Sequence, residues 1–341
     1  MFDFIPDHFY LFVFGLILLI KGGDWFVDGA QSIAKKFKVP ELLIGATVVS
    51  IGTTLPEVMT SATSAMTGHG EIAYGNAIGS IICNTALIAA VTIAIKPGKA
   101  DRKTLIFPTC FFFGAAIFYS VVAYAGGEFT RVVGIVLLCA FVAYMVINVV
   151  NMKKNPVAAE PSLEIAEASD KDAAPEENVS MVKSLLYLVL GALAIAVGAD
   201  LLVDSSTIIA KQIGMSEAVI GLTVVALGTS LPELVTAITA LSKGHGALSL
   251  GNVIGANIFN LVLVSGVAIT LSPFTVPLTS ELFGQNVSFV LDIPVMLAVM
   301  SILTIPAILK NKLSRWQGIA LLSIYVLFLV IQFVFVTPVA A

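Results

Sequence analysis

Long apolar runs alternate with short polar stretches along the whole of the 341-residue chain. The runs are continuous rather than alternating with period two, which favours helices over the strands of a barrel. A helix needs about 20 apolar residues to cross the hydrocarbon core of a bilayer, and each run is at least that long. We predict ten spans, at residues 8–32, 41–66, 71–95, 104–125, 130–150, 181–209, 217–242, 247–271, 285–309 and 315–337.

The composition agrees with this pattern and excludes an ordinary soluble domain. Hydrophobic residues make up 58% of the chain and charged residues only 12%, roughly half the charged share of a soluble protein. The first run has no basic segment before it and no cleavage site of small residues after it, so we interpret it as a retained helix. The predicted class is therefore an all-α integral membrane protein.

Lysine and arginine residues are distributed unevenly between the loops. If the N-terminus lies outside, the loops on the inner side carry fifteen basic residues and those on the outer side carry two, Arg131 and Lys211. Inner loops of membrane proteins are enriched in basic residues. We therefore expect a multi-pass protein of the cell (inner) membrane with both termini outside.

The chain repeats itself after a shift of 176 residues. The stretch from Gly45 to Asn84 matches the stretch from Gly221 to Asn260 at 20 of 40 positions without a gap. Each copy contains five predicted spans, and an odd number makes the second copy enter the membrane from the opposite face. We predict two inverted five-helix repeats, at residues 1–150 and 181–341, an arrangement typical of secondary transporters.

Residues 151–180 join the two repeats and are rich in Asp and Glu, with several Ala and Pro. This composition is typical of a flexible tether, which we expect to lie in the cytoplasm. The stretch lacks the glycine turn and the alternating oxygen ligands of an EF-hand loop. A calcium-sensing role is therefore disfavoured.

Glu57 and Glu233 occupy equivalent positions in the two repeats, each near the middle of a predicted span. A charged side chain in the membrane is costly and usually functional. A single protonated glutamate could make a structural hydrogen bond between helices, but two at equivalent positions, each after Leu-Pro, favour a binding site.

Oxygen donors surround both glutamates in the sequence. Pro56 and Pro232 have no N–H, so each is expected to bend its helix and free a carbonyl four residues earlier. Hydroxyl and amide side chains recur at helical spacing on the same faces. These residues are Ser50, Thr53, Asn76, Ser80 and Asn84 in the first repeat, and Thr229, Asn252 and Asn260 in the second, where Ala256 replaces the serine.

This set of donors contains carboxylates, amides, hydroxyls and carbonyls but neither His nor Cys. Hard oxygen donors suit Ca2+, which takes six to eight of them, and also Na+, whereas transition metals prefer imidazole or thiolate. The sequence therefore predicts a site for Ca2+ or Na+ near the middle of the membrane.

The paired motifs Gly-Thr-(Thr/Ser)-Leu-Pro-Glu and Gly-Asn-x-Ile-Gly-(Ser/Ala)-x-Ile-x-Asn resemble the alpha-repeats of the Ca2+/cation antiporter superfamily, and most closely its prokaryotic Na+/Ca2+ exchanger branch. The resemblance implies exchange of three Na+ for one Ca2+ at overlapping sites. The ligands that it implies are Glu57, Glu233, Thr53, Thr229, Thr54, Ser230, Asn84, Asn260 and Ser80, with main-chain oxygens near Ser50 and Ala226. Many members have Asp at the position of Asn260 and Ser at that of Ala256, so the Na+ sites of this chain are expected to differ.

We therefore expect a secondary-active antiporter, not an enzyme, that has no cofactor and transports Ca2+ and Na+ in a lipid bilayer. A Ca2+ antiporter driven by protons would use the same carboxylates and stays open as an alternative. A channel is disfavoured because no filter motif is present. An intramembrane hydrolase is disfavoured because neither a nucleophile and base pair nor His-Glu-x-x-His spacing is present. Neither a nucleic acid nor an obligatory protein partner is indicated.

The distribution of basic residues predicts the topology directly. A cysteine introduced at Ala168, in the acidic tether, should be protected from a membrane-impermeant thiol reagent in intact cells. A cysteine introduced near Gly126, in an outer turn, should react. Labelling of the position 168 variant from outside would contradict the predicted orientation.

Overall fold

The structure is a computed structural model, and it describes residues 5–37, 41–154, 180–212, 226–278 and 280–338. Most of the predicted acidic tether and the first part of the seventh predicted span, residues 217–225, lie outside these ranges. Helices account for almost all of the described residues, and the strands are only two or three residues long.

The first half of the chain contains the elements that lead to Glu57 and Asn84. In chain order they are α1 (Ile5–Phe37), α2 (Glu41–Ile44), the π-helical segment π1 (Gly45–Val49), α3 (Ser50–Met66), α4 (Gly70–Cys83), π2 (Asn84–Ala89), α5 (Ala90–Ile95), α6 (Arg102–Ala125), strand β1 (Glu128–Phe129) and α7 (Arg131–Lys154).

The second half contains a similar series of helices. In chain order they and the short strands are α8 (Met181–Gln212), α9 (Ala226–Thr229), α10 (Leu231–Ser242), α11 (Gly246–Phe259), π3 (Asn260–Val264), α12 (Ser265–Leu271), β2 (Phe274–Thr275), β3 (Ser280–Leu282), β4 (Gln285–Asn286), π4 (Ser288–Asp292), α13 (Ile293–Lys310), α14 (Arg315–Val334) and β5 (Thr337–Pro338).

Eight helical runs in the described ranges are long and apolar enough to cross a membrane, which confirms the prediction of a helical membrane fold. Each coincides with a predicted span. The second predicted span, residues 41–66, is helical throughout but falls outside those eight, and only the later part of the seventh is described. The total of ten spans stays a prediction.

Two of the π-helical segments begin at equivalent asparagines of the two repeats. The segment π2 begins at Asn84 and π3 begins at Asn260, in each case after an unbroken stretch of α-helix. In a π-helical turn the backbone hydrogen bonds span five residues instead of four, which changes which carbonyls are paired. Such turns are frequent at functional sites. The backbone therefore changes at the positions where the sequence predicts cation ligands.

The described residues separate into two compact units. The first comprises the described residues within 1–53 and 146–252, and the second comprises those within 54–145 and 253–341. Each unit thus combines helices from both sequence repeats. The division of the chain into two five-helix repeats stays a prediction from the sequence.

In the first unit, α1 packs along α8 through glycines. A Cβ atom at Gly29 would stand 2.6 Å from the backbone nitrogen of Leu188, and one at Gly191 would stand 2.5 Å from that of Phe26. These distances are too short for any side chain, so the two helices require glycine to approach so closely. The contact joins a helix of the first repeat to one of the second.

An ion pair attaches the end of α10 to α1 in the same unit. The Nζ atom of Lys243 lies 2.8 Å from Oδ1 of Asp28 and 3.4 Å from Oδ1 of Asp24. Because α10 carries Glu233, this contact and the packing of Gly23 against Val235 hold the glutamate-bearing helix against α1.

The second unit has an aromatic core. Tyr119, Tyr144 and Phe259 are fully buried, and the ring centroids of Tyr119 and Phe129 are 4.6 Å apart. Strand β1, which contains Phe129, pairs antiparallel with β2, so the ends of α6 and α12 lie on the same side of this unit.

Candidate cation-binding site

Glu233 lies beside a break in the helix of the second repeat. The helix stops at Thr229, Ser230 has non-helical dihedral angles, and α10 then begins at Leu231 with Pro232 in its first turn. Glu233 is in the same first turn, and its side chain is 0% exposed. The N-terminal end of a helix carries a partial positive charge, so the break places Glu233 at the positive end of α10.

Glu57 has a different backbone setting in the first repeat. Helix α3 continues through Pro56, so the interruption at Ser230 has no equivalent at this position. Glu57 is also 0% exposed, and so is the neighbouring Thr54. The Nδ2 atom of Asn76 on α4 donates to the main-chain oxygen of Glu57 at 3.2 Å and to Oγ of Ser61 at 2.8 Å. Asn76 therefore ties the glutamate-bearing helix to α4.

Ser50 and Thr53 meet Asn252 in the first unit. The Oγ atom of Ser50 lies 2.8 Å from the main-chain oxygen of Gly45, 3.0 Å from that of Asn252 and 3.3 Å from Oδ1 of Asn252. The Oγ1 atom of Thr53 lies 3.3 Å from the same Oδ1 atom. A serine hydroxyl has one proton to donate. Oxygen atoms therefore outnumber the available protons here, an arrangement that suits a cation.

Asn84 and Asn260 present buried amides at the starts of π2 and π3. Both side chains are 0% exposed, and within the described ranges neither their amide nitrogen nor their amide oxygen has a hydrogen-bond partner. Buried polar groups are normally hydrogen-bonded, so these two amides are candidates for binding a cation. The Ser265 hydroxyl donates to the main-chain oxygen of Asn260 at 3.1 Å and closes the π turn.

The remaining predicted ligands occupy the same elements. Ser80 is 4% exposed and precedes Asn84 by one turn of α4, Ser230 is 1% exposed at the helix break, and Thr229 is the last residue of α9. The main chain of Ala226 begins α9. The first unit contains Ser50, Thr53, Ala226, Thr229, Ser230 and Glu233, and the second contains Thr54, Glu57, Ser80, Asn84 and Asn260. The assignment of these residues as ligands stays a proposal.

The sequence predicted no difference between the roles of Asn76 and Asn252. The repeat places them at equivalent positions, yet Asn76 donates to Ser61 and Glu57, whereas Asn252 accepts from Ser50 and Thr53. In the sequence, only their alignment at equivalent positions of the two repeats indicated that they were important. Only the packing shows that each one positions a different set of donors.

The chain matches the family model of the sodium/calcium exchanger protein over residues 8–150 and 183–334. It belongs to the sodium/calcium exchanger family. The resemblance of the alpha-repeats is thereby confirmed, and the family identity makes the chain a multi-pass membrane transporter of the prokaryotic branch rather than an enzyme.

Relatives of this exchanger match along nearly its whole length. The sodium/calcium exchanger MaX1 of Methanosarcina acetivorans is 32% identical over 96% of this chain and 99% of its own. An uncharacterized membrane protein of Methanocaldococcus jannaschii is 39% identical over 93% of this chain and 95% of its own. A solved structure of the sodium-calcium exchanger NCX_Mj, soaked with Na+ and Sr2+, is 34% identical and superposes with a TM-score of 0.77 over 95% of this chain and 98% of that chain.

The two kinds of buried asparagine in this exchanger should respond differently to replacement by alanine. Asn252→Ala removes the acceptor of two hydroxyl groups and should lower the free energy of unfolding by about 1–3 kcal/mol. Asn84→Ala removes an amide without a described partner, so the small cavity and the relief of desolvation should nearly offset each other. Thermal unfolding in detergent without Ca2+ or Na+ measures both effects.

Added Ca2+ separates binding from folding in the same variants. The Asn84→Ala protein should gain less thermal stability from Ca2+ than the wild type, because a ligand oxygen is missing. An equal loss of ion-free stability in both variants would show that Asn84 has a structural role instead.

Proposed function

We propose that this protein exchanges Ca2+ for Na+ across the membrane by alternating access, with three Na+ for each Ca2+. The observation that carries the proposal is the full burial of Glu57 and Glu233 at equivalent positions of the two repeats. The match to the sodium/calcium exchanger family supports the choice of ions. On this proposal both carboxylates neutralise the same transported ions.

Charge balance explains why such a protein would exchange ions rather than conduct them. Two ionised carboxylates within apolar helices are strongly penalised when no cation accompanies them, by several kcal/mol each. One Ca2+ cancels both charges, and two or more Na+ also cancel them. A loaded carrier can therefore change its access from one side to the other, whereas the empty carrier is held back.

The remaining donors fit the coordination that these ions need. Ca2+ takes six to eight oxygens, more than two carboxylates supply. On this proposal the amides of Asn84 and Asn260 and the hydroxyls of Ser80 and Ser230 complete the shell. All four side chains are at most 4% exposed, so each would lose little further hydration on binding a cation.

Replacing either glutamate by glutamine tests whether both charges are needed. Glu57→Gln and Glu233→Gln should each reduce Ca2+ transport at least a hundredfold and leave the fold intact, because glutamine keeps the size but not the charge. Glu71→Gln, at an exposed position of α4, is the matched control and should transport normally. Near-normal exchange by either buried variant would contradict a shared pair of charges.

The proposed stoichiometry makes transport sensitive to membrane voltage. Because Asn260 cannot ionise, the ligand set contains two negative charges, so Ca2+ is balanced whereas three Na+ leave one positive charge in excess. Moving one charge through 100 mV changes the free energy by about 2.3 kcal/mol. Ca2+ uptake into vesicles, driven by an imposed Na+ gradient, should therefore be faster when the membrane voltage favours the movement of positive charge in the direction in which Na+ moves.

Two other outcomes of the vesicle experiment would reject parts of the proposal. Ca2+ flux driven by a pH gradient without Na+ would show that transport is coupled to protons rather than to Na+. Flux driven by Na+ but indifferent to clamped voltage would reject the count of three Na+ to one Ca2+.

A further inference from the structure

The second unit contains a membrane-embedded carboxylate that is not among the proposed cation ligands. Asp292 is the last residue of π4 and lies within the apolar run Ser288–Lys310. The corresponding helix of the first repeat, α6, contains neither Asp nor Glu. Acidic residues in such segments are rare because of their cost, and they usually mark a path for ions or protons. The duplicated architecture therefore does not account for Asp292.

The contacts of Asp292 orient its carboxylate without neutralising it. The Nε2 atom of Gln332 on α14 donates to Oδ1 of Asp292 at 2.8 Å. The hydroxyl of Ser288 also interacts with this carboxylate, and Ser288 in turn interacts with the phenol of Tyr74. In the part of the chain that the structure describes, the ion pairs of Lys and Arg do not involve Asp292.

Buried hydroxyl groups continue from Asp292 toward Asn260. Tyr74 is 3% exposed and Tyr119 is 0% exposed, and their rings stack with centroids 6.4 Å apart. Among the described residues, neither phenol oxygen has a hydrogen bond of ordinary distance and angle. The side chain of Ser288 nevertheless interacts with Tyr74, and that of Ser265 with Tyr119.

Ser265 connects these hydroxyls to Asn260, because its Oγ atom donates to the main-chain oxygen of Asn260 at 3.1 Å. Polar side chains are thus present from Asp292 to a proposed cation ligand within a single unit, with the step between Tyr74 and Tyr119 made by stacked rings. The polar groups are Asp292, Ser288, Tyr74, Tyr119, Ser265 and Asn260.

These polar groups begin at one end of the helices of this unit. Asp292 and Tyr74 each lie about one turn from the start of their apolar runs, and Tyr119 lies less than two turns from the end of α6. That end of α6 leads into β1, which pairs with β2. The carboxylate therefore lies nearer to the end of its apolar run than to the middle.

We propose that Asp292, with Ser288 and Tyr74, forms a subsite for Na+ on a polar route to Asn260. One carboxylate balances one monovalent cation, whereas Ca2+ would keep an uncompensated charge in an apolar segment and would need more oxygens than this cluster supplies. Tyr74 and Ser288 contribute hydroxyl oxygens, and Gln332 holds the carboxylate in place. The role of the subsite in transport rests on the proposed Na+-driven exchange.

Asp292→Asn tests the subsite because it keeps the size of the side chain and removes its charge. In vesicles the Na+ concentration that gives half-maximal Ca2+ flux should rise about tenfold for Na+ added on one side of the membrane. The maximal rate and the Ca2+ concentration for half-maximal flux should stay near the wild-type values. Asp292→Glu should restore Na+ affinity, and Glu128→Gln, at an exposed position of β1, is the matched control.

Tyr74→Phe provides a second test that removes only a hydroxyl oxygen, in case the Asp292 variant fails to fold. It should raise the half-maximal Na+ concentration by a smaller factor, about threefold. An unchanged Na+ dependence in folded Asp292→Asn protein would overturn the subsite. So would a parallel rise in the Na+ and Ca2+ requirements, since that pattern indicates a general disturbance of the helices.

Thermal unfolding of the purified protein separates this inference from the proposed function. Na+, compared with choline, should raise the unfolding temperature of the wild type more than that of Asp292→Asn. If the wild type shows this difference but no Na+-driven Ca2+ flux, the subsite is supported and the proposed exchange is rejected. If the wild type exchanges Na+ for Ca2+ and Asp292→Asn responds to Na+ as the wild type does, only the subsite is rejected.

Discussion

The burial of two carboxylates inside apolar membrane helices is the constraint on which the rest of this structure depends. Glu57 and Glu233 are fully buried, and each charge at such a depth costs about 2.5–3.5 kcal/mol or more when it is not compensated. Within each unit, hydroxyl and amide groups lie in the otherwise apolar elements that carry the glutamate, with the helix break at Ser230 in one unit and two of the π-helical segments, at Asn84 and Asn260, in the other. On the proposed function these polar groups offset the cost of burying the two carboxylates.

The two repeats supply these polar groups by different backbone conformations. In the second repeat the helix stops at Thr229 and restarts at Leu231, which places Glu233 in a helix N-terminal turn. In the first repeat, α3 continues without interruption through Pro56. The duplication therefore conserved the side chains at the two positions more closely than the hydrogen bonding of the backbone around them.

The asparagines divide into those that hold the helices and those that stay available. Asn76 through its amide nitrogen and Asn252 through its amide oxygen position hydroxyls and a main-chain oxygen, whereas the described residues provide no partner for either amide atom of Asn84 and Asn260. An amide can coordinate a cation through its oxygen without adding charge. Asparagine rather than aspartate at position 260 therefore keeps the charge of the proposed ligand set at two.

The sequence by itself determined the membrane class, the internal repeat, the pair of glutamates and the family. These features depend on local composition or on direct identity, since an apolar run of sufficient length has few solutions other than a spanning helix. Only the tertiary structure decided that Asn252 accepts from Ser50 and Thr53, and that Gln332 orients Asp292 from 40 residues away. The tertiary structure also located the π-helical segments. The hydrophobic periodicity of the sequence does not reveal a shift of one residue in backbone hydrogen bonding. Such features arise from which helices pack together, and the sequence pattern of one helix carries no information about the neighbour that its polar groups will meet.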